Sequence, residues 1–272
     1  MALMCSVLEV SRSGYYAWRD RGPSPRTQHR LYVAEKVRTA YQQSRGIYGS
    51  PRIYQVLRKE RVKCTEKVVA QLMRQEGIRS RRARRFRVRT TDANHPHPVA
   101  ANTLDRAFAP GPINRRWATD ITYVQTDEGW LYVATVMDLG SRRIIGWAAA
   151  HHLRAELAIA ALSQALATRG RQADLLHHSD RGVQYACEDY RALLERHGIG
   201  CSMSRSGDCY DNAVMESFFK TFKVECVYPE HYQTRKEART SIGQYIELFY
   251  NRQRLHSTLG YKSPLEYEAG LA

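Results

Sequence analysis

The sequence has no run of eighteen apolar residues and no amino-terminal signal pattern, so it gives no support for a membrane-spanning or secreted protein. Cysteine is sparse and scattered: Cys5, Cys64, Cys187, Cys201, Cys209 and Cys226 include no C-x-x-C pair. That argues against a zinc ribbon and a disulfide scaffold, and it suits reduced thiols in a cytosolic protein. No internal repeat is present. Acidic residues are scarce in one region only. Residues 1–100 carry 22 Lys and Arg against 7 Asp and Glu, an excess of 15, whereas residues 101–272 carry 20 of each. The whole net charge of +15 therefore lies at one end. A basic surface serving solubility would not be confined in this way, so the asymmetry points to a polyanion partner, nucleic acid.

At 272 residues, 43% of them hydrophobic, the chain is long enough for two domains and a sizeable core. The basic region reads as helical. The segments "TQHRLYVAEKVRTAYQQ" (27–43), "SPRIYQVLRKE" (50–60) and "TEKVVAQLMRQEG" (65–77) each carry an apolar stripe, with Thr65 as N-cap and Gly77 as stop for the third. Three short helices with a basic surface suit a helix-turn-helix-like module whose third helix enters a groove. The run "RSRRARRFRVR" (79–89) offers Arg81, Arg82, Arg84 and Arg85 for phosphate contact. The proline-rich stretch behind it reads as an extended linker. The expected boundaries are a basic helical DNA-binding region over 1–90, a linker over 91–112, and a second folded region with a C-terminal helical extension over 113–272. His95 and His97 lack cysteines at ligand spacing and are read as linker histidines.

Beyond the linker the periodicity changes. "RWATDITYVQT", "WLYVATVMDLG" and "RRIIGWAAA" alternate and are separated by Asp-Glu-Gly and Asp-Leu-Gly turns, which predicts an antiparallel meander. A helix "RAELAIAALSQALAT", a strand "DLLHHS", a helix "CEDYRALLERHG", a strand "GCSMS" and a helix "DNAVMESFFKTFKVE" follow. The order β-β-β-α-β-α-β-α is an α/β fold, a mixed sheet with helices packed on it.

Three carboxylates fall on three of these elements. Asp120 is out of place beside Trp117 and Ile121 in the first strand, Asp180 ends the fourth strand, and Glu216 sits on the last helix. If strand four pairs with strand one, Asp120 and Asp180 are neighbours, and the helix brings Glu216 over them. Taken singly, Asp180 is a turn former and Glu216 an ion-pair partner for Lys220. Together they repel unless a cation sits among them, and hard oxygen ligands suit Mg²⁺ or Mn²⁺. Two such ions serve phosphodiester displacement by activating the attacking oxygen and stabilising the leaving one.

Asp120, Asp180 and Glu216, with 35 residues between the last two, resemble the DD(35)E signature of transposases and retroviral integrases on the RNase H-like fold. The flanks "WATDITYV", "HHSDRGVQY", "SRSGDCYDNAVMESFFKTFKVE" and "YNRQRLHSTLGYKSP" are similar to blocks of the second-frame (OrfB) transposases of the IS-three family of bacterial insertion sequences. The amino-terminal "SRSGYYAW", "GIYGSPRI" and "VVAQLMRQEGIRS" fit as well, so the resemblance spans nearly the whole chain. It implies an RNase H-like core, cleavage of element ends to free 3′-hydroxyls, and their joining to target DNA. It also implies a homo-oligomer in a synaptic complex, an upstream-frame protein as fusion or partner, and a cytoplasmic, nucleoid-associated setting. The chain lacks the His/Cys zinc module of retroviral integrases, and Arg181 stands where those enzymes often have Asn. It shows no heptad run, so sequence-selective end recognition is expected to come from the upstream frame.

Lys220 and Lys223, one and two turns beyond Glu216, are expected to lie over the site and hold the DNA backbone. Arg252, Arg254 and His256 either contact DNA or cap the catalytic domain. His177 and His178 precede Asp180 on a strand, so one is expected in the core and the other towards the site. Two further readings compete with a strand transferase. One is an RNase H-like nuclease that only hydrolyses; the other is a non-catalytic DNA-binding regulator of transposition.

Overall fold

The computed structural model describes residues 1–81, 98–170, 172–205 and 208–271. It divides into two compact units, Met1–Arg81 and Arg82–Ala272. In the first, α1 (Ala2–Val7) and α2 (Arg12–Arg19) precede α3 (Pro25–Gln43), α4 (Ser50–Lys59) and α5 (Glu66–Gln75). Helix α3 begins where Ser24 accepts a hydrogen bond from the Thr27 amide (3.2 Å), with Pro25 presetting the first turn. Helix α5 begins in the same manner at Thr65, which accepts from the Val68 amide (3.4 Å). Gly77, with φ of 67°, turns the chain away after it. Val33 and Val37 of α3, Ile53 and Leu57 of α4, and Val69 and Leu72 of α5 are buried, each contributing roughly 1.5–3 kcal/mol.

On the surface of this unit three cations of α3 are tied down. Lys36 meets Glu60 at 2.9 Å, Arg38 meets Glu76 at 2.8 Å, and Arg30 donates to the Gln75 side chain at 2.9 Å. On α5, by contrast, Lys67, Gln71 and Arg74 are exposed at i, i+4 and i+7, along one side of the helix.

The second unit is a mixed sheet of the RNase H-like type. Strands β1 (Arg116–Thr126), β2 (Gly129–Asp138), β3 (Ile144–Ala150), β4 (Leu176–Ser179) and β5 (Gly200–Met203) lie in the order β3-β2-β1-β4-β5. Strand β2 is antiparallel to β1 and β3, whereas β4 and β5 run parallel to β1. Helices α6 (Ala155–Arg169), α7 (Val183–Ala186) and α8 (Glu188–Arg196) connect the later strands, and α9 (Ala213–Phe222), α10 (Arg235–Gly243) and α11 (Pro264–Ala269) follow the sheet. Helix α6 comes very close to β3: a Cβ on Gly146 would stand 2.2 Å from the Ala161 carbonyl oxygen, so only glycine fits there. Trp117, Ile121, Ala134, Val136, Leu157 and Leu162 pack together under that helix. Side chains alternate along β1, so Asp120 faces the opposite way, towards α9, which packs against β1. An aromatic cluster fixes α9 there, with Phe218 edge-on to Tyr250 at 5.0 Å and Phe222 against Tyr245 at 5.7 Å.

Residues 98–112, expected to finish the linker, are anchored in this second unit. The amides of Thr103 and Leu104 donate to Ser202 Oγ at 3.0 and 3.1 Å, and Leu104 is buried. Proline content signals an extended backbone but not whether that backbone docks, and here Leu104 supplies the apolar anchor.

Candidate active site

The pairing of β4 with β1 builds the centre of the site. The register runs Arg116↔Leu176, Trp117↔His177 and Ala118↔His178. Two residues further along each strand direction stand Asp120 and Asp180, at the same level and beyond the end of β4. They line one pocket together with Ile121, Thr122, Tyr123, Tyr132, Gln184 and Tyr185. Asp120 Oδ1 accepts from the Ile121 amide at 2.7 Å, and Asp180 Oδ1 accepts from the Gly182 amide at 2.9 Å, which orients both carboxylates. A Cβ at Gly182 would lie 3.0 Å from Asp180 Oδ1, so any side chain there crowds the carboxylate. Burial lifts the Asp120 carboxyl well above the usual carboxylate range, and the like charges of Asp180 and Glu216 add to it. Asp120 opens to the pocket mouth, yet protein surrounds it closely enough to desolvate it.

Glu216 lies on the exposed side of α9, with partial burial raising its carboxyl. The helix is shorter than the expected 211–225: a 3-10 turn (Cys209–Asn212) leads into it and a π-helical turn (Lys223–Val227) follows. Sequence reasoning missed the residue that holds its start. Asp211 is fully buried and accepts from the Asn102 side chain (2.8 Å), from Arg106 Nε (2.9 Å), and from Arg205 through its amide, Nε and Nη2 (2.9 Å each). The Arg205 guanidinium and these other donors hold the Asp211 carboxyl far below the usual range. One carboxylate thus fastens the 98–112 segment and the end of β5 to the turn that opens α9. The signal available was an aspartate six residues after Arg205.

The other expected site residues divide. Lys220 is exposed on α9 one turn beyond Glu216. Lys223, in the π-helical turn, is part-buried instead: its Nζ stands 4.1 Å from the Tyr123 ring centroid, and it acts on Asp120 electrostatically. Burial lowers its ammonium, and Asp120 opposes that shift. Arg252 and Arg81 are exposed, whereas Arg82, Arg84 and Arg85 lie outside the described residues, as do His95 and His97. Arg254 is a correction. It is buried and donates from Nε and Nη2 to the Glu225 carboxylate, both at 2.8 Å, so its charge is neutralised inside the protein and cannot reach a DNA phosphate. His256 is buried beside it, edge-on to Tyr250 at 5.0 Å.

Both strand histidines are interior. His177 Nε2 is 2.9 Å from the Tyr190 hydroxyl, and burial pushes its imidazole down to about 3. His178 lies between the Ser202 and Ser204 hydroxyls at 2.9 and 3.2 Å. Neither lines the pocket.

Among the described residues no group of three or more His, Cys, Asp or Glu side chains forms a ready metal-ligand set. Asp120 and Asp180 share the pocket, and Glu216 acts on Asp120 from beside it. The donors nonetheless fit a hard divalent cation. They are carboxylate oxygens, and burial and like charge hold Asp120 against ionisation, a penalty that a bound cation relieves.

Models of the "Integrase core domain" match residues 113–209 and 197–264, and an "HTH-like domain" model matches residues 28–86. The chain is 45% identical over 268 residues to "Transposase InsF for insertion sequence IS3A" of Escherichia coli K12, covering 97% of this chain and 92% of that protein. It is 42% identical to the "Insertion element IS600 uncharacterized 31 kDa protein" of Shigella sonnei, covering 97% of each. Among solved structures, the HTLV-2 integrase catalytic core domain in complex with magnesium matches with a TM-score of 0.41 and 14% identity, over 57% of this chain and 96% of that one.

Proposed function

The chain belongs to the IS3-type insertion-sequence transposases, proteins with an integrase core, and from that premise we propose that it cleaves DNA at element ends and transfers the freed 3′-hydroxyls into target DNA. The observation that carries this reading is the register that sets Asp120 beside Asp180 at the open end of β4, next to the helix bearing Glu216. Asp120, Asp180 and Glu216 would hold Mg²⁺ or Mn²⁺, two ions in the working site. Bound there, the metal supplies activation of the attacking oxygen and stabilisation of the leaving one. In the joining step the 3′-oxygen attacks a target phosphorus and displaces the target's own 3′-oxygen, so one phosphodiester replaces another and no external energy source is required.

The remaining residues bind and orient. Lys220 and Lys223 hold backbone phosphates at the scissile position, with Lys223 braced on Tyr123. In the first unit α5 enters a groove, where Lys67, Gln71 and Arg74 are its outward side chains. Arg81, Arg82, Arg84, Arg85 and Arg252 add phosphate contacts. The partners are element-end and target DNA, a second copy of the chain in a synaptic complex, and an upstream-frame protein. No helix among the described residues is long and apolar enough to cross a membrane, and the proposed setting is the nucleoid.

The test uses labelled end duplexes with Mg²⁺. Asp120→Asn, Asp180→Asn and Glu216→Gln each lower cleavage and joining by about a hundred- to a thousandfold, the scale for removing a transition-state contact. Affinity for DNA stays within about twofold, because none of the three neutral replacements removes a phosphate contact. Near-normal Mg²⁺-dependent activity in any variant removes that residue from the triad. Cleavage without joined product would favour the hydrolytic nuclease reading.

A further inference from the structure

Strand β1 spans Arg116–Thr126, but β4 pairs with it only as far as Ala118. Past Asp120 that side of β1 has no strand partner, and an aromatic pair lies across the β1–β2 ladder nearby, Tyr123 on β1 and Trp130 on β2. Tyr123 lines the same pocket as Asp120 and Asp180. The Trp130 ring meets the Tyr123 ring edge-on, with centroids 5.0 Å apart and planes at 88°, and Trp130 is 44% exposed. Tyr228, 48% exposed, follows the π-helical turn, where its amide donates to the Lys223 carbonyl at 2.7 Å. Lys223 Nζ lies 4.1 Å from the Tyr123 ring centroid, which puts a cation at the inner end of the row.

The hairpin that carries Trp130 is held in place. Arg235 Nε donates to the Trp130 carbonyl at 3.1 Å, and the Arg235 amide donates to the Glu128 carboxylate at 2.8 Å. A single exposed tryptophan needs no explanation. Two half-exposed aromatics that both act on Tyr123, a residue lining the pocket of the carboxylates and capped by a lysine, do need one.

We propose that Trp130, Tyr123 and Tyr228 form a stacking ledge for an unpaired nucleobase of the DNA next to the scissile phosphate, which Lys223 holds. This inference rests on the reading of the site as a DNA-processing centre. The carboxylates are recessed where β4 ends beside the middle of β1, so a phosphate inside a regular duplex reaches them more easily once a neighbouring nucleotide leaves the stack. Leaving the stack costs free energy, and an aromatic platform returns part of it. Stacking tolerates any base because each presents a π-face, so the ledge confers preference for an opened end and not for a sequence.

The test uses the full chain in EDTA, so that binding is read without turnover. The probes are a fully paired duplex and a forked duplex of equal length, with 2-aminopurine in the fork's unpaired segment. The wild type binds the fork more tightly and quenches the 2-aminopurine. Trp130→Ala and Tyr228→Ala each weaken fork binding about tenfold, within the range for loss of one base–aromatic stack. They restore the fluorescence and leave the paired duplex within twofold, and Trp130→Phe retains most of the preference. Tyr228 is exposed, so Tyr228→Ala tests the ledge even if Trp130→Ala perturbs the hairpin. Equal losses on both duplexes, or no loss on either, overturn the ledge. Asp120→Asn separates the two proposals: it abolishes cleavage and keeps the fork preference. If Asp120→Asn still cleaves, the functional reading fails while the fork data judge the ledge on their own.

Discussion

Arg38 in the first unit and Arg254 in the second each bind a carboxylate through two nitrogens. Arg38 meets Glu76 at 2.8 and 3.1 Å, and Arg254 meets Glu225 at 2.8 Å twice. Their surroundings differ. The side chains of the first pair are 49% and 30% exposed, those of the second 7% and 6%. In water the first pair is screened and competes with solvent, so either partner is dispensable. In the interior each partner of the second is needed because the other is already desolvated, and the Tyr245 hydroxyl adds a third hydrogen bond to Glu225 at 2.8 Å. Paired geometry therefore says little about consequence until burial is known. A charge count in the sequence reports on external partners only for side chains that reach the surface.

The sharpest way to break this contrast is to remove one member of the interior pair. Arg254→Ala or Glu225→Ala is expected to cost about 3–5 kcal/mol, read from urea denaturation of the full chain. An unchanged midpoint would put Arg254 back among the candidates for DNA contact. The next largest effect is pH-dependent and belongs to the second unit. His177 is buried neutral, with its folded pKa depressed from the usual 6.5 to about 3. The unfolded chain therefore takes up the proton first. The stability is fully present above the unfolded value and is lost as pH falls from there towards 3, by ~1.4 kcal/mol per pH unit. His177→Asn should flatten the denaturation midpoint between pH 6.5 and 4 by one proton's worth of slope, and an unaltered slope would refute the assignment.

Smaller effects belong to the first unit. Lys67→Ala and Arg74→Ala should each reduce the slope of log affinity for DNA against log salt by about 0.9, if each side chain neutralises one phosphate. A slope that does not change moves the groove contact off α5. The smallest effect is that of Arg38→Ala, whose denaturation midpoint should match that of the wild type. A clear drop would show that the exposed pair is structural after all.

Much of the second unit was legible because burial imposes a period. Alternation in "RWATDITYVQT" predicts β1, and an aspartate facing away from Trp117 and Ile121 in such a strand has few reasons to be there. That Asp120 and Asp180 are neighbours was conditional on β4 pairing with β1, and the register supplies that pairing. Arg254, Glu225 and Asp211 were not legible, because a charged residue carries no mark of the partner that will neutralise it. Glu225 lies 29 positions from Arg254, and Asn102 lies 109 from Asp211. The π-helical turn was hidden as well: a wider turn leaves the apolar spacing before it intact, so Lys223 read as a second rung above Glu216. In the first unit α3, α4, α5 and the Thr65 cap were visible while α1 and α2 were not, and Glu60 and Glu76, acidic residues on neighbouring segments, decided how Lys36 and Arg38 are held.

The short length of β4 has a further consequence. A strand whose β4 partner stops at Ala118 has no neighbouring strand on that side beyond Asp120, and exposed edges invite other strands. Here Lys223 and the pocket carboxylates border that edge, and charge at an edge discourages a neighbouring chain from adding to the sheet. Without that charge the opening would be a nucleus for self-association. Neutralising Lys223 therefore bears on the solubility of the free protein.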